Sequence, residues 1–388
     1  MKERLPINVE VLKWARTSLS LSREDVAERL GAHFNAESLR AWENGKGSPT
    51  YPQLERLAHD IYKRPVAVFF FPNVPDEDSP KTEFRTLPDT IVAALPPEII
   101  KLYRKAKLFQ FNLEELFDGE PAVGGTFLDT LALNGSSPMA SIATAARKML
   151  GVSVEEQFSW KSTETAFKKW REALATRGVF VFKDAFKNEQ FSGFCLYDQK
   201  YPVVFVNNSM PDSRQVFTLF HELAHLLYHS GGVDFRSART ARSFQGYYRN
   251  IEVNCNRFAS EFLIPRDALD AFELEISEAQ FSRLATHFSV SREVVLRIYL
   301  DRGLIDDEYY EKMAAKWANQ AIKKREESPG GGNYYYTQKA YLGDRYINLV
   351  YGKYYQSRIT ADTVAEYLNV KARNLPTFEH WVLEGGKL

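Results

Sequence analysis

"FTLFHELAHLLYH", residues 217–229, decides the reading of this chain. His221 and His225 stand four apart, with Glu222 directly after the first. At 100° per residue, a helix through this stretch gathers Thr218, His221, Glu222, His225 and His229 on one stripe. Val216, Phe217, Leu219, Phe220, Leu223, Ala224, Leu226 and Leu227 take up the rest of the circumference. So broad an apolar face predicts a helix buried on most sides, with its polar stripe lining a cleft. Histidines at i and i+4 lie one above the other and can converge on one Zn²⁺ at about 2.0–2.1 Å. Glu222 sits beside them, in reach of a water at such an ion. His229 continues the stripe one turn on, where "SGG" ends the helix. It is read as a helix-terminal histidine, with a fourth ligand or a proton donor as alternatives.

A catalytic zinc takes three protein ligands and keeps one position open. The following helix, "IEVNCNRFASEFLIP" (251–265), offers Glu252 and Glu261. Glu252 shares a face with Cys255, Asn256, Ala259 and Leu263, whereas Glu261 lies opposite with Asn254 and Arg257. A carboxylate turned inward among apolar neighbours is costly unless it is paired or bound to metal. Glu252 is therefore the expected third ligand; the competing reading is a buried ion pair with Arg236 or Arg242. Asn256, one turn on, is expected to steady a ligating histidine through its second nitrogen. Cys255 is read as packing. His229, Tyr247, Tyr248 and Arg242, in or beside the loop between the two helices, are candidates for an oxyanion or proton donor. "PVVFVNN" or "FSGFCLYD" is expected to present a strand edge to an extended substrate.

The 388 residues suggest two or three domains. Lys+Arg and Asp+Glu both number 50, so no global charge draws the chain to nucleic acid or anionic membrane. Two cysteines, Cys195 and Cys255, exclude a disulfide scaffold and suit a reduced cytoplasmic protein. "MKERLPINVE" lacks a signal-peptide core, and the longest apolar run is too short to span a bilayer. Short amphipathic helices fill 1–72, and a Pro- and acid-rich linker follows. From 87 to 327 come helices, then short β runs ("GVFVFKD", "FSGFCLYD", "PVVFVNN"), then helices again. This order predicts an α+β fold with a small antiparallel sheet. Residues 277–304 have helix-turn-helix spacing, with His287 read as structural. "EESPGGGN" breaks the chain before a small helical domain at 334–388. There, Tyr334–Tyr336 are expected to line a helical core with a solvated rim.

"HELAH", followed about thirty residues later by "E..CNRFASEFLIP", closely resembles the ImmA/IrrE metallopeptidases, zincins of the gluzincin type. The N-terminal "VLKWARTSLSLSREDVAERL…" resembles an XRE-type helix-turn-helix, and the tail resembles that of the long fused members. The resemblance implies His221, His225 and Glu252 as zinc ligands and Glu222 as catalytic acid/base. It also implies the substrate class: transcriptional repressors, often XRE-type.

Within the N-terminal module, Ser22 is a good N-cap with Asp25 in the capping-box position. "NAESLRAWENG" is the expected recognition helix, with Gly45 as its C′ residue. Its start offers Glu37 and Ser38, and Arg40 is its one basic group. Residues 1–70 hold eleven Lys/Arg against nine Asp/Glu, only faintly basic. DNA binding through Arg40 and docking of an XRE-type protein both stay open.

Overall fold

The computed structural model describes residues 5–19, 21–31, 35–77, 80–85, 87–123, 127–134, 137–235, 244–326 and 333–383. The chain forms two compact units, Met1–Lys105 and Ala106–Leu388.

The first unit is all helical. Its leading elements are α1 (Val9–Thr17), α2 (Arg23–Leu30), α3 (Ala36–Glu43) and α4 (Tyr51–Arg56). Ser22 and Asp25 close a reciprocal capping box at the start of α2. Gly45 ends α3 at φ +70°, a left-handed position that favours glycine. Leu12, Val26, Leu39 and Leu54 are fully or almost fully buried between these helices. Glu43, 4% exposed, receives Arg16 at 2.6 Å and Arg23 at 2.8 Å. Its burial opposes ionisation, yet the two guanidiniums hold its carboxyl below the usual range.

The second unit is built on a four-stranded sheet: β1 (Phe180–Asp184), β2 (Phe191–Leu196), β3 (Val203–Asn207) and β4 (Gly232–Phe235). The order is β1-β3-β2-β4. β3 runs parallel to β1 and antiparallel to β2, and β4 runs antiparallel to β2. The sheet is thus mixed, where the sequence predicted antiparallel pairing throughout. Two reversals bring β3 back in the direction of β1, and it slots between β1 and β2 instead of continuing a meander. All five residues of β3 are buried, and a central place pairs its backbone groups on both sides. β2 and β3 are consequently interior strands, and neither offers the free edge expected of them; the edges are β1 and β4.

The period-2 alternation divides the sheet's residues between two helical layers. On one face Phe182 stacks on Phe109 at 4.1 Å and meets Tyr346 edge-on. On the other face Val181, Cys195, Val204 and Val206 join the core around α5 (Met139–Leu150), α6 (Thr163–Ala175), α7 (Asp212–Leu227) and α8 (Gly246–Leu263). The 277–304 segment forms α9 (Glu278–His287) and α10 (Arg292–Asp301), with Ser277 and Ser291 as N-caps. The His287 ring packs at 3.9 Å from Phe158. In the tail, α11 (Tyr334–Leu342) and α12 (Asp344–Tyr355) lead into shorter helices. Tyr334 and Tyr336 are about half exposed, so they are not the core residues that the composition suggested; α11 turns that face outward. No helix among the described residues is long and apolar enough to cross a membrane.

Candidate metal centre

α7 starts at Asp212 behind Pro211 and is buried from Gln215 to Leu227 without a break. The breadth of apolar surface in the sequence requires this, and it takes the polar stripe into the interior: Thr218, His221, Glu222 and His225 are 0–1% exposed. The helix ends before His229, which adopts φ +53°. α8 lies against α7 through stacked Phe220 and Phe262 rings 4.0 Å apart, with Trp170 edge-on to both. The far end of α8 is fixed by buried donors. Arg147 binds the Phe262 carbonyl at 3.0 Å, and Gln157 binds that of Leu263 at 2.9 Å. These contacts set the rotation of α8 and turn Glu252 toward α7.

The result is a triangle. The Nε2 atoms of His221 and His225 are 3.2 Å apart. Glu252 places Oε2 3.4 Å from the first and Oε1 3.3 Å from the second. A tetrahedral ion with bonds of about 2.0–2.1 Å holds its ligands about 3.3 Å from one another, so the spacing fits a single such ion. Two further observations test the fit. Buried Oε1 of Glu252 makes no hydrogen bond among the described residues, and neither oxygen of Glu222 has one to an N–H or O–H group. These orphaned acceptors are expensive in a dry interior without a cation or water. The three side chains are the His/Cys/Asp/Glu group among the described residues that could hold a metal ion.

The electrostatics agree. Burial pushes the Glu222 carboxyl up to about 8, with His225 and the Cys195 thiol pulling the other way. Burial also opposes charge on Glu252, but His225 and His221 outweigh it and hold the carboxyl low. Burial alone would depress His221; Asp234 and Glu252 raise it instead.

Sequence reasoning missed Asp234. It is 3% exposed on β4, accepts the Thr218 hydroxyl at 2.7 Å, and receives Arg214 at 2.8 and 3.0 Å. It thereby ties β4 to the first turns of α7. The only signal was Thr218 on the polar stripe, which asks for a partner. Two glycines allow the sheet to approach. A Cβ on Gly193 would stand 2.5 Å from Thr218 Cγ2, and one on Gly232 would stand 2.2 Å from His225 Cγ.

The remaining candidates fall elsewhere. Asn256 donates to the Glu252 carbonyl at 2.8 Å, one turn back on its own helix, and makes no bond to either imidazole. His229 stacks on Tyr197 at 5.0 Å and lies 3.5 Å from Asp129. Tyr247 is 67% exposed, its ring 5.8 Å from that of Tyr248 at the start of α8. Arg242 and Arg236 lie outside the described residues. Cys255 is fully buried, and burial drives its thiol up, as suits packing. In the first unit, Arg40 is exposed on α3.

Residues 175–298 match the family model described as the IrrE N-terminal-like domain of peptidase M78. Residues 12–60 match a helix-turn-helix model. A comparison with curated proteins gives no match. Both matched stretches coincide with the elements just described, the first with the sheet, α7, α8 and α9, the second with α1 to α4. The chain therefore carries a peptidase M78 domain of the IrrE N-terminal-like family behind an XRE-type helix-turn-helix domain, a metallopeptidase-like and DNA-binding architecture of the ImmA/IrrE kind.

Proposed function

We propose that the chain is a cytoplasmic Zn²⁺-dependent endopeptidase that cleaves a transcriptional repressor, most simply an XRE-type one, in a stress or mobile-element response. The carrying observation is the triangle of His221, His225 and Glu252, whose edges of 3.2–3.4 Å suit one tetrahedral ion. In this reading those three residues are the ligands. Bound there, Zn²⁺ supplies Lewis acidity to a peptide carbonyl and to water. Glu222 is the acid/base. Its carboxylate would take a proton from the attacking water at Oε1 or Oε2 and return it to the leaving amine. Asp234 positions the helix through Thr218. Domain limits of 1–72, 87–327 and 334–388 are proposed on the same footing. The helix-turn-helix supports a second reading, a DNA-binding regulator or antitoxin-like binding protein in which the peptidase fold serves only as a sensor.

Metal analysis and co-expression with a neighbouring repressor separate the two. In the peptidase reading, purified protein holds about one zinc per chain, and Glu222→Gln keeps the metal while repressor cleavage falls at least about 100-fold. Equal repressor loss with wild type and Glu222→Gln would leave only the second reading.

A further inference from the structure

A cavity of about 680 Å³ opens beside the sheet, lined by α6, β1, the start of α7 and the C-terminal helices α11 and α12. Its size is that of a small-molecule site. Its walls are fixed. Arg171 on α6 donates to the carbonyls of Ala340 at 2.7 Å and Tyr341 at 2.8 Å, gripping the end of α11. Gly343 presses so close that a Cβ would stand 2.4 Å from Arg171 Cζ.

The charges around the cavity do not cancel. At the rim, Glu164 pairs with Lys168 at 2.7 Å, Asp344 with Lys339 at 3.2 Å and Glu172 with Arg345 at 3.6 Å. Three lining charges remain: Arg171, Lys183 and Asp212. Arg171 is committed to carbonyls, which carry no compensating charge. Lys183 makes no ion pair among the described residues at contact distance; its Nζ sits 3.8 Å from the Phe167 ring centroid. Burial, then Arg171, pushes its ammonium down to about 8. One positive charge is left over in a partly enclosed space, which Trp381 and half-exposed Tyr336 also line, their rings edge-on at 6.2 Å.

We propose that this cavity binds a small organic anion with an aromatic body, its charge on Lys183 and its ring against Trp381 and Tyr336. The ligand restores neutrality, and the aromatic walls take up its apolar area. Asp212 is the first residue of α7, so a ligand here touches the helix that carries His221 and His225. The proposal does not depend on the peptidase reading.

Three probes of one shape and different charge test it on the full-length protein: 2-naphthoate, 2-naphthalenemethanol and 2-naphthylmethylamine, titrated by ligand-observed NMR. The carboxylate is expected to bind at least about tenfold more tightly than the alcohol and the amine. Lys183→Met, which keeps the stem over Phe167, weakens the carboxylate at least about tenfold and leaves the alcohol unchanged. Asp212→Asn removes the opposing charge and tightens the carboxylate severalfold, a gain that misfolding cannot imitate. Equal binding of the three probes, no binding of 2-naphthoate, or a 2-naphthoate affinity that neither substitution moves overturns the proposal.

Discussion

Gly232 lies on the His225 imidazole so closely that a Cβ there would meet Cγ at 2.2 Å, Cδ2 at 2.4 Å and Nδ1 at 2.7 Å. No rotamer of a larger residue escapes this, because the clash is with the first side-chain atom. Gly232→Ala is therefore expected to cost about 1–3 kcal/mol and to turn the imidazole away from the triangle. Thermal unfolding and zinc titration measure the two effects. Gly352→Ala is the control, a helical glycine with nothing within 4 Å of its added Cβ, and should be neutral or stabilising by up to about 1 kcal/mol. Similar losses in both would show that the His225 contact decides nothing.

Glu252→Gln keeps the shape of the side chain and removes its charge. Two imidazoles alone hold a divalent ion weakly, so bound zinc should fall from about one per chain to under about one tenth after dialysis. Loss of the metal also lowers the melting temperature, since an ion bound only by the native state adds stability. Retention of zinc by Glu252→Gln, read by plasma mass spectrometry, would remove Glu252 from the ligand set.

Asp234→Asn removes the near carboxylate of Arg214, whose side chain is 14% exposed and, among the described carboxylates, keeps only Glu293 at 3.9 Å. A broken buried pair typically costs about 3–5 kcal/mol. Thr218→Val removes only the 2.7 Å hydroxyl bond and should cost about 1–3 kcal/mol, since Asp234 keeps Arg214. A double-mutant cycle on unfolding free energy checks this. Strict additivity would mean that Asp234 does not act through Thr218.

The first unit carries an acid-sensitive anchor. Burial works against charge on Glu43, but Arg16 and Arg23 hold its folded-state pKa below the unfolded value. A carboxyl so depressed adds stability above the unfolded pKa and loses it as pH falls through the folded one. Glu43→Gln should therefore speed exchange of the protected amides of α1 and α3, and do so least at low pH. At pH 7 the variant is less protected by about 3 kcal/mol, and the gap to wild type closes as pH drops below the ordinary carboxylate range. A gap that stays constant from pH 7 to about 3 would locate the anchor elsewhere.

The candidate metal centre was legible because a helix converts sequence spacing into spatial position. His221, Glu222 and His225 follow from a five-residue span, and the face of Glu252 follows from its neighbours on α8. The same rule misjudged Asn256: facing inward placed it near the site, but its amide found the Glu252 carbonyl of its own helix first. Sheet order has no comparable local code. The slot of β3 between β1 and β2 depends on residues more than twenty apart, and "GVDF" is too short to announce β4. Asp234 was hidden with it, one acid among fifty Asp and Glu until the strand brought it to Thr218. Of the two glycines that matter most, Gly193 sits inside the predicted strand "FSGFCLYD" and Gly232 in the "SGG" that ends the helix. Both are needed for close approach.

Among the described residues β4 shows four strand residues and no strand on its outer side. A polypeptide laid along it would gain only two or three main-chain bonds, roughly 1 kcal/mol each, which corresponds to millimolar-range grip or weaker. Pairing with those four residues alone does not pick one protein out of a crowded cell. In the peptidase reading, selectivity would then come from tethering, where a second, remote handhold raises the local concentration of one chain at the proposed zinc site.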